Sequence, residues 1–133
     1  MSTLPPIPTT FNHPVAAREL TVVRDGQPSP LHIEIGRPVQ DVETAGGTDW
    51  RCPVRWREGD HVRVHNACGV DSFQALQLAL ESIRLKLEAL AGEDGISLHF
   101  LDCPYDARTQ LPDQQHVRAS LSGRPRDDRD AAG

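Results

Sequence analysis

The stretch Cys68-Gly69-Val70-Asp71-Ser72-Phe73-Gln74 sets a thiol, a glycine and a carboxylate directly before the apolar run Ala75-Leu76-Gln77-Leu78-Ala79-Leu80. A helix N-terminus can lower a thiol's pKa, and the thiolate becomes a nucleophile if a histidine stands by as base. His61 and His65 are near in the chain. The same residues also spell a helix start, with Asp71 as N-cap, Gln74 completing a capping box and Gly69 easing the turn from strand into helix. Two arguments favour the cap. On a strand, His65 and Cys68 point to opposite sides, and a carboxylate at Asp71 opposes thiolate formation. Cys68 is therefore read as a small packed hydrophobe. A thiol-dependent enzyme or ligand-binding domain using Cys68 and the nearby histidines is the alternative.

Other chemistry is thinly represented. Cys52, Cys68 and Cys103 with one histidine could complete a zinc tetrahedron, but structural zinc sites draw on close C-x₂₋₄-C pairs, which the chain lacks. Glycine-rich phosphate loops, HExxH and GxSxG are absent, and no carboxylate pair stands out as acid and base. No catalytic residue, metal or cofactor is assigned. Three sets of residues suit binding instead. Arg51, Arg55, Arg57 and Arg63, with His61 and His65, would share one sheet face and could hold an anionic partner through forked hydrogen bonds, or form a solvated face balanced by Glu34 and Glu58. Asp41, Glu43 and Asp49 fall in a Gly-containing acidic stretch, residues 39–49, read as a protruding loop. Leu78 and Leu85 lie off the main apolar stripe of the helix, covered by the N-terminal arm or open to a partner.

The elements that must position these residues follow from periodicity. In PSPLHIEIGRP, Leu31, Ile33 and Ile35 alternate with His32 and Glu34, the pattern of a strand buried on one side; Asp25-Gly26 before it marks a turn. Trp50, Cys52, Val54 and Trp56 alternate with Arg51, Pro53, Arg55 and Arg57 in a second strand, placed at an edge or beside a bulge because Pro53 has no N–H. Glu58-Gly59-Asp60 is read as the turn to a return strand with Val62 and Val64 inward. Phe73, Leu76, Leu80, Ile83, Leu87 and Leu90, spaced 3, 4, 3, 4, 3, form one helical stripe over residues 72–91, ended by Gly92. Ile96, Leu98 and Phe100 begin a last strand. The fold class is α+β, an antiparallel sheet of about four or five strands with one long helix packed across one face.

Residues 1–17, with Pro5, Pro6, Pro8 and Pro14, read as an extended arm, 18–104 as a single domain, and 105–133 as a polar, disordered tail. Of the net charge of −5, residues 1–104 carry all the excess, with 9 Lys/Arg against 14 Asp/Glu, whereas residues 105–133 hold 5 of each. That distribution argues against nucleic-acid binding, which rests on neutralising phosphate. No apolar run reaches the roughly 18 residues of a membrane span, no secretory pattern opens the chain, and three widely spaced cysteines suit a reducing compartment, so a cytoplasmic location is expected.

Trp50, Cys52 and Val54 in a strand, followed by Gly69, Val70, Asp71, Ser72, Gln74, Ala75, Leu76, Leu78, Ala79 and Leu80 at a helix start, resemble a family of small bacterial proteins of unknown function over about residues 19–91. The resemblance implies a small α+β domain and brings no catalytic residue with it. Small acidic proteins of this type are also what many immunity proteins look like, an analogy of type. The expected function is non-enzymatic protein binding, as an immunity protein neutralising a cognate toxin, with the acidic residues Asp41, Glu43 and Asp49 in a basic toxin cleft. A structural adaptor or homodimer joined through Leu78 and Leu85 is a further alternative.

Overall fold

Alternating apolar residues and glycine turns lay out eight strand segments around one helix: β1 (Pro14–Arg24), β2 (Gln27–Gly36), β3 (Val39–Thr44), β4 (Gly47–Glu58), β5 (His61–Gly69), α1 (Ser72–Ala91), β6 (Ile96–Phe100), β7 (Cys103–Asp106) and β8 (Leu111–Pro112). This computed structural model describes residues 3–112. The path β3-β4-β2-β1-β6-β7-β8 is antiparallel throughout, and β5 pairs with β4. Residues 54–58 of β4 pair with β2 and β5 at once, so these take opposite edges, and β3 follows β2 along the same edge. The α+β class holds, with more strands than the expected four or five. β4 is internal to the sheet, and Pro53 falls where β2 gives way to β3, between the pairs Ile35–Val54 and Val39–Arg51. A residue without an N–H is tolerated where the ladder breaks.

The core lies between the sheet and α1. Leu20, Val22, Leu31, Ile33, Cys52, Val54, Leu98, Ile83 and Leu87 are buried there, with Trp50 and Trp56 packed against them. The helix is rotated from the expected stripe. Ala75, Ala79, Ile83 and Leu87 are its buried residues, while Phe73 and Leu80 are exposed. Two fully buried alanines let the helix backbone sit close to the sheet, and that closeness turns the bulkier leucines out to the flanks. The N-terminus is built as expected at Asp71, whose carboxylate accepts from Gln74 N at 2.7 Å, but the Gln74 side chain accepts from Val70 N rather than from Asp71 N. Asp71→Ala is expected to cost about 1 kcal/mol in a denaturant melt, the loss of one cap.

Several boundaries move. β1 begins at Pro14, inside the expected arm. Residues 105–112, expected in the tail, complete β7 and form β8, with Tyr105 and Ala107 buried; the remainder of the expected tail lies outside the described residues. The acidic stretch 39–49 is a hairpin rather than a loop, β3 and β4 turning at Ala45-Gly46. A register shift between Val39 and Val42 breaks the alternation there and hides the strand from a period-two reading.

Candidate functional site

The hairpin of β4 and β5 decides which side chains meet. Its turn holds two residues, Gly59 and Asp60, with Gly59 at φ 58°, so Glu58 pairs with His61 and Trp56 with Arg63. A three-residue turn would have put Val62 opposite Trp56. The slip of one residue flips the whole strand. His61, Arg63 and His65 therefore share the helix side with Trp56 and Val54, and Val62, expected inward, is 53% exposed on the other.

The expected arginine face is consequently split. Arg51, expected on an accessible face, has a side chain only 2% exposed. Its five N–H donors meet five acceptor contacts: Nε to Asp41 Oδ1 at 2.7 Å, Nη2 to Asp41 Oδ2 at 3.1 Å and Thr10 Oγ1 at 2.8 Å, and Nη1 to Thr10 O at 2.8 Å and Asn66 Oδ1 at 3.1 Å. Asn66 in turn donates to Pro8 O at 2.7 Å. Together they pin the N-terminal arm over the face away from the helix, so the arm does not cover Leu78 and Leu85. Phe11 of that arm lies under Arg55, with Cζ 4.3 Å from the ring centroid, and Arg55 is forked onto the buried Glu34 at 2.8–3.1 Å. Arg57 is exposed on the same side. Of the acidic set, Asp41 is engaged by Arg51, Glu43 is exposed on β3 and Asp49 is half-buried on β4; no protruding acidic loop unites them.

Arg63 instead joins a concave site on the helix side. A cleft of 600 Å³ opens between the C-terminal half of α1 and the β4–β5 hairpin, with Trp56, Arg63, His61 and Lys86 along it, the Arg24–Glu58 ion pair on one wall and Glu93 at the helix end. Lys86 Nζ stands 5.4 Å from the Trp56 ring centroid, and neither Lys86 nor Arg63 has a carboxylate within ion-pair reach among the described residues. Burial, and then the neighbouring Arg63, lower the Lys86 pKa. The Trp56 indole N–H is buried with no acceptor among the described residues. Leu85 and Leu78 are exposed on the flank of the same helix.

The histidine beside this cleft is committed to structure. Lys86 Nζ lies 3.3 Å from His65 Nδ1, and an ammonium can only donate, so Nδ1 accepts and the ring proton sits on Nε2. Nε2 then donates to Ser82 Oγ at 3.1 Å, and Ser82 gives its own proton to Ala79 O at 2.7 Å. This chain runs the wrong way to activate the serine, since the hydroxyl has no base to accept its proton. Burial first, and Lys86 second, lower His65 to about 4. The ring is neutral in the fold and charges more readily in the unfolded chain, so acid favours unfolding. The contribution is full above about pH 6.5 and is lost as pH falls to about 4. His65→Gln is expected to flatten the acid limb of stability in that window, read from denaturant melts at successive pH values.

The thiols are no better placed for chemistry. Burial pushes Cys52 up to about 11, and burial, followed by Asp49, raises Cys68 against the opposing pull of Arg51. Cys68 pairs with Arg51 across the ladder and His65 with Val54, which puts thiol and imidazole on opposite faces. Among the described residues no three His, Cys, Asp or Glu side chains converge as a metal site, and no helix is long and apolar enough to cross a membrane. Lys86 and Trp56 were missed in the sequence because Lys86 sits alone on a helix read as packed or polar, and Trp56 was read only as core.

Residues 16–111 match a family described as a domain of unknown function, DUF6968. The chain belongs to that family. The matched span runs from β1 into β8 and so takes in every strand and the helix, beyond residues 19–91 expected from the sequence. No curated protein and no solved structure matches the chain.

Proposed function

We propose that the protein is a non-enzymatic protein-binding domain that receives an acidic segment of its partner in the Trp56 cleft. The observation that carries this reading is the pair Arg63 and Lys86, two cations facing one cleft, neither with a carboxylate within ion-pair reach among the described residues although Glu58 and Glu93 also line it, on a chain of net charge −5. Tryptophan and arginine are also the side chains that most often dominate binding energy at the centre of protein interfaces. The outer edge of β5 is unpaired among the described residues, and beside it the exposed Leu78 and Leu85 supply an apolar flank. An extended segment could add to that edge through main-chain hydrogen bonds while its carboxylates reach Lys86 and Arg63. The specific form we propose is an immunity protein of the bacterial cytoplasm, with a cognate toxin supplying the segment. The cleft replaces the acidic residues 41–49 as the recognition site in this reading.

The test compares the wild type with Arg63→Glu/Lys86→Glu, both tagged and expressed in the native cell. A partner retained by the wild type and lost by the double variant is expected; Arg63→Glu alone, which disturbs no hydrogen bond or ion pair among the described residues, should weaken capture at nearly unchanged thermal melting, since exposed charges contribute little to folding. Association should slow as salt screens the attraction. For the immunity form, co-production of the wild type and not of the variant should restore growth of cells making the captured partner. Equal capture by both proteins would discard the cleft, and a homodimer with no partner would discard the reading in favour of self-association.

A further inference from the structure

On the other flank of α1 lies a second concave site, independent of the Trp56 cleft. A cavity of 280 Å³ opens between the helix and strands β1 and β2, walled by Ile33, Ile35, Leu80, Ile83 and Leu87 and bounded at one side by Arg18, Tyr105 and Gln110. Its walls are aliphatic and its polar groups are few, the composition of a small-molecule site. The position of Arg18 sets the chemistry. Its guanidinium is fixed against two aromatic rings, Cζ standing 4.8 Å from the Phe100 centroid and 6.0 Å from that of Tyr105. Nη1 donates to Gln110 O and, at 3.4 Å, to Tyr105 Oη. Nε and Nη2 have no acceptor among the described residues, and Arg18 is within ion-pair reach of no carboxylate among them. Gln110 also donates from Nε2 to Leu80 O at 3.4 Å, bridging helix and arginine along the rim.

We infer that this cavity binds a small apolar monocarboxylic acid, its hydrocarbon among Ile33, Ile35, Ile83 and Leu87 and its carboxylate on the fork of Arg18. A half-buried guanidinium fixed against aromatic rings, with Nε and Nη2 unused among the described residues, suits a carboxylate bidentately, whereas a lysine at this position would offer only a point charge. The aliphatic wall excludes strongly hydrated anions such as inorganic phosphate, because burial of their charge needs more donors than one arginine supplies.

Decanoate, decanol and inorganic phosphate are the probes, added to the full chain and followed by backbone amide NMR. Saturable shifts with decanoate at residues 16–18, 33, 35, 80, 83 and 87 are expected, with none from phosphate. Arg18→Gln should weaken decanoate about tenfold, the usual worth of a charged hydrogen bond, while leaving decanol unchanged. Leu80→Trp, at an exposed position on the rim, should block both probes in a protein that melts normally; it carries the test if Arg18→Gln does not fold. Absence of shifts at these residues up to about 1 mM decanoate, a negligible affinity, would overturn the proposal. So would equal binding of decanoate and decanol that Arg18→Gln leaves untouched, or binding that survives Leu80→Trp.

Discussion

Arg51→Ala should produce the largest loss of stability among single polar substitutions in this fold, about 3 kcal/mol in a urea melt, with the N-terminal arm set free. The side chain is nearly inaccessible and each of its five donors is engaged, so truncation leaves Asn66 Oδ1 and the Thr10 oxygens without the Arg51 donors and Asp41 without its countercharge. Breaking a buried pair from one side costs about 3–5 kcal/mol, and the partial exposure of Asp41 places this case at the lower end. Arg51→Lys should recover little, because three donors on a flexible stem cannot reproduce a planar fork reaching Asp41, Thr10 and Asn66 at once. Hydrogen exchange would show the arm's release as faster exchange over residues 8–13. An Arg51→Ala protein with wild-type stability and a protected arm would show that the cluster contributes nothing to holding the arm.

Gly69→Ala is expected to cost about 2–3 kcal/mol, more than removal of the Asp71 cap a few residues on. A Cβ at position 69 would lie 2.6 Å from Ala75 N and 2.9 Å from Gln74 Cβ, and the first of these is helix backbone that cannot rotate away. The helix can yield only by lifting its first turn, which would loosen the contact of Ala75 with the sheet. Gly69 is needed for this close approach rather than for turning freedom, since its φ is not positive. Equilibrium melts of Gly69→Ala and Asp71→Ala side by side would check the ranking; near-equal losses would mean that the helix start adjusts without strain.

Much of the frame was legible because it rests on local physics. The alternation of Leu31, Ile33 and Ile35 and of Trp50, Cys52, Val54 and Trp56 specifies which side chains share a face, and those residues do face the core, whereas the burial of Glu34, Arg51 and Pro53 on the opposite face departs from the expected one-sided strands. Asp25-Gly26 turns β1 into β2 with positive φ at both residues, as the dipeptide requires. Asp71 caps the helix, and Gly92 ends it. The opposition of His65 and Cys68 across the sheet follows from alternation alone. Each of these depends on a few neighbouring residues, so the amino-acid sequence determines it without reference to the rest of the chain.

The candidate site was not legible in the same way. Whether Val62 or Arg63 faces the helix turns on a single residue of loop length at Gly59-Asp60, and strand periodicity is indifferent to that choice. Asp41 and Arg51 read as unrelated charges, one on a loop and one on a face, until a shifted β3–β4 register brings them together under the arm. Likewise Arg18, Tyr105 and Gln110 border one cavity only because β6 returns beside β1, joining chain segments some ninety residues apart. The sequence by itself determined the span of the helix and its cap, and the core-facing side chains of β2 and β4, since period and capping are local; β3, β8, the inward face of β5 and the buried stripe of the helix were not among them. Strand register, the choice of edge and the side chains that meet across the sheet were decided by the tertiary structure, where packing the whole core selects one register from several that local preferences allow.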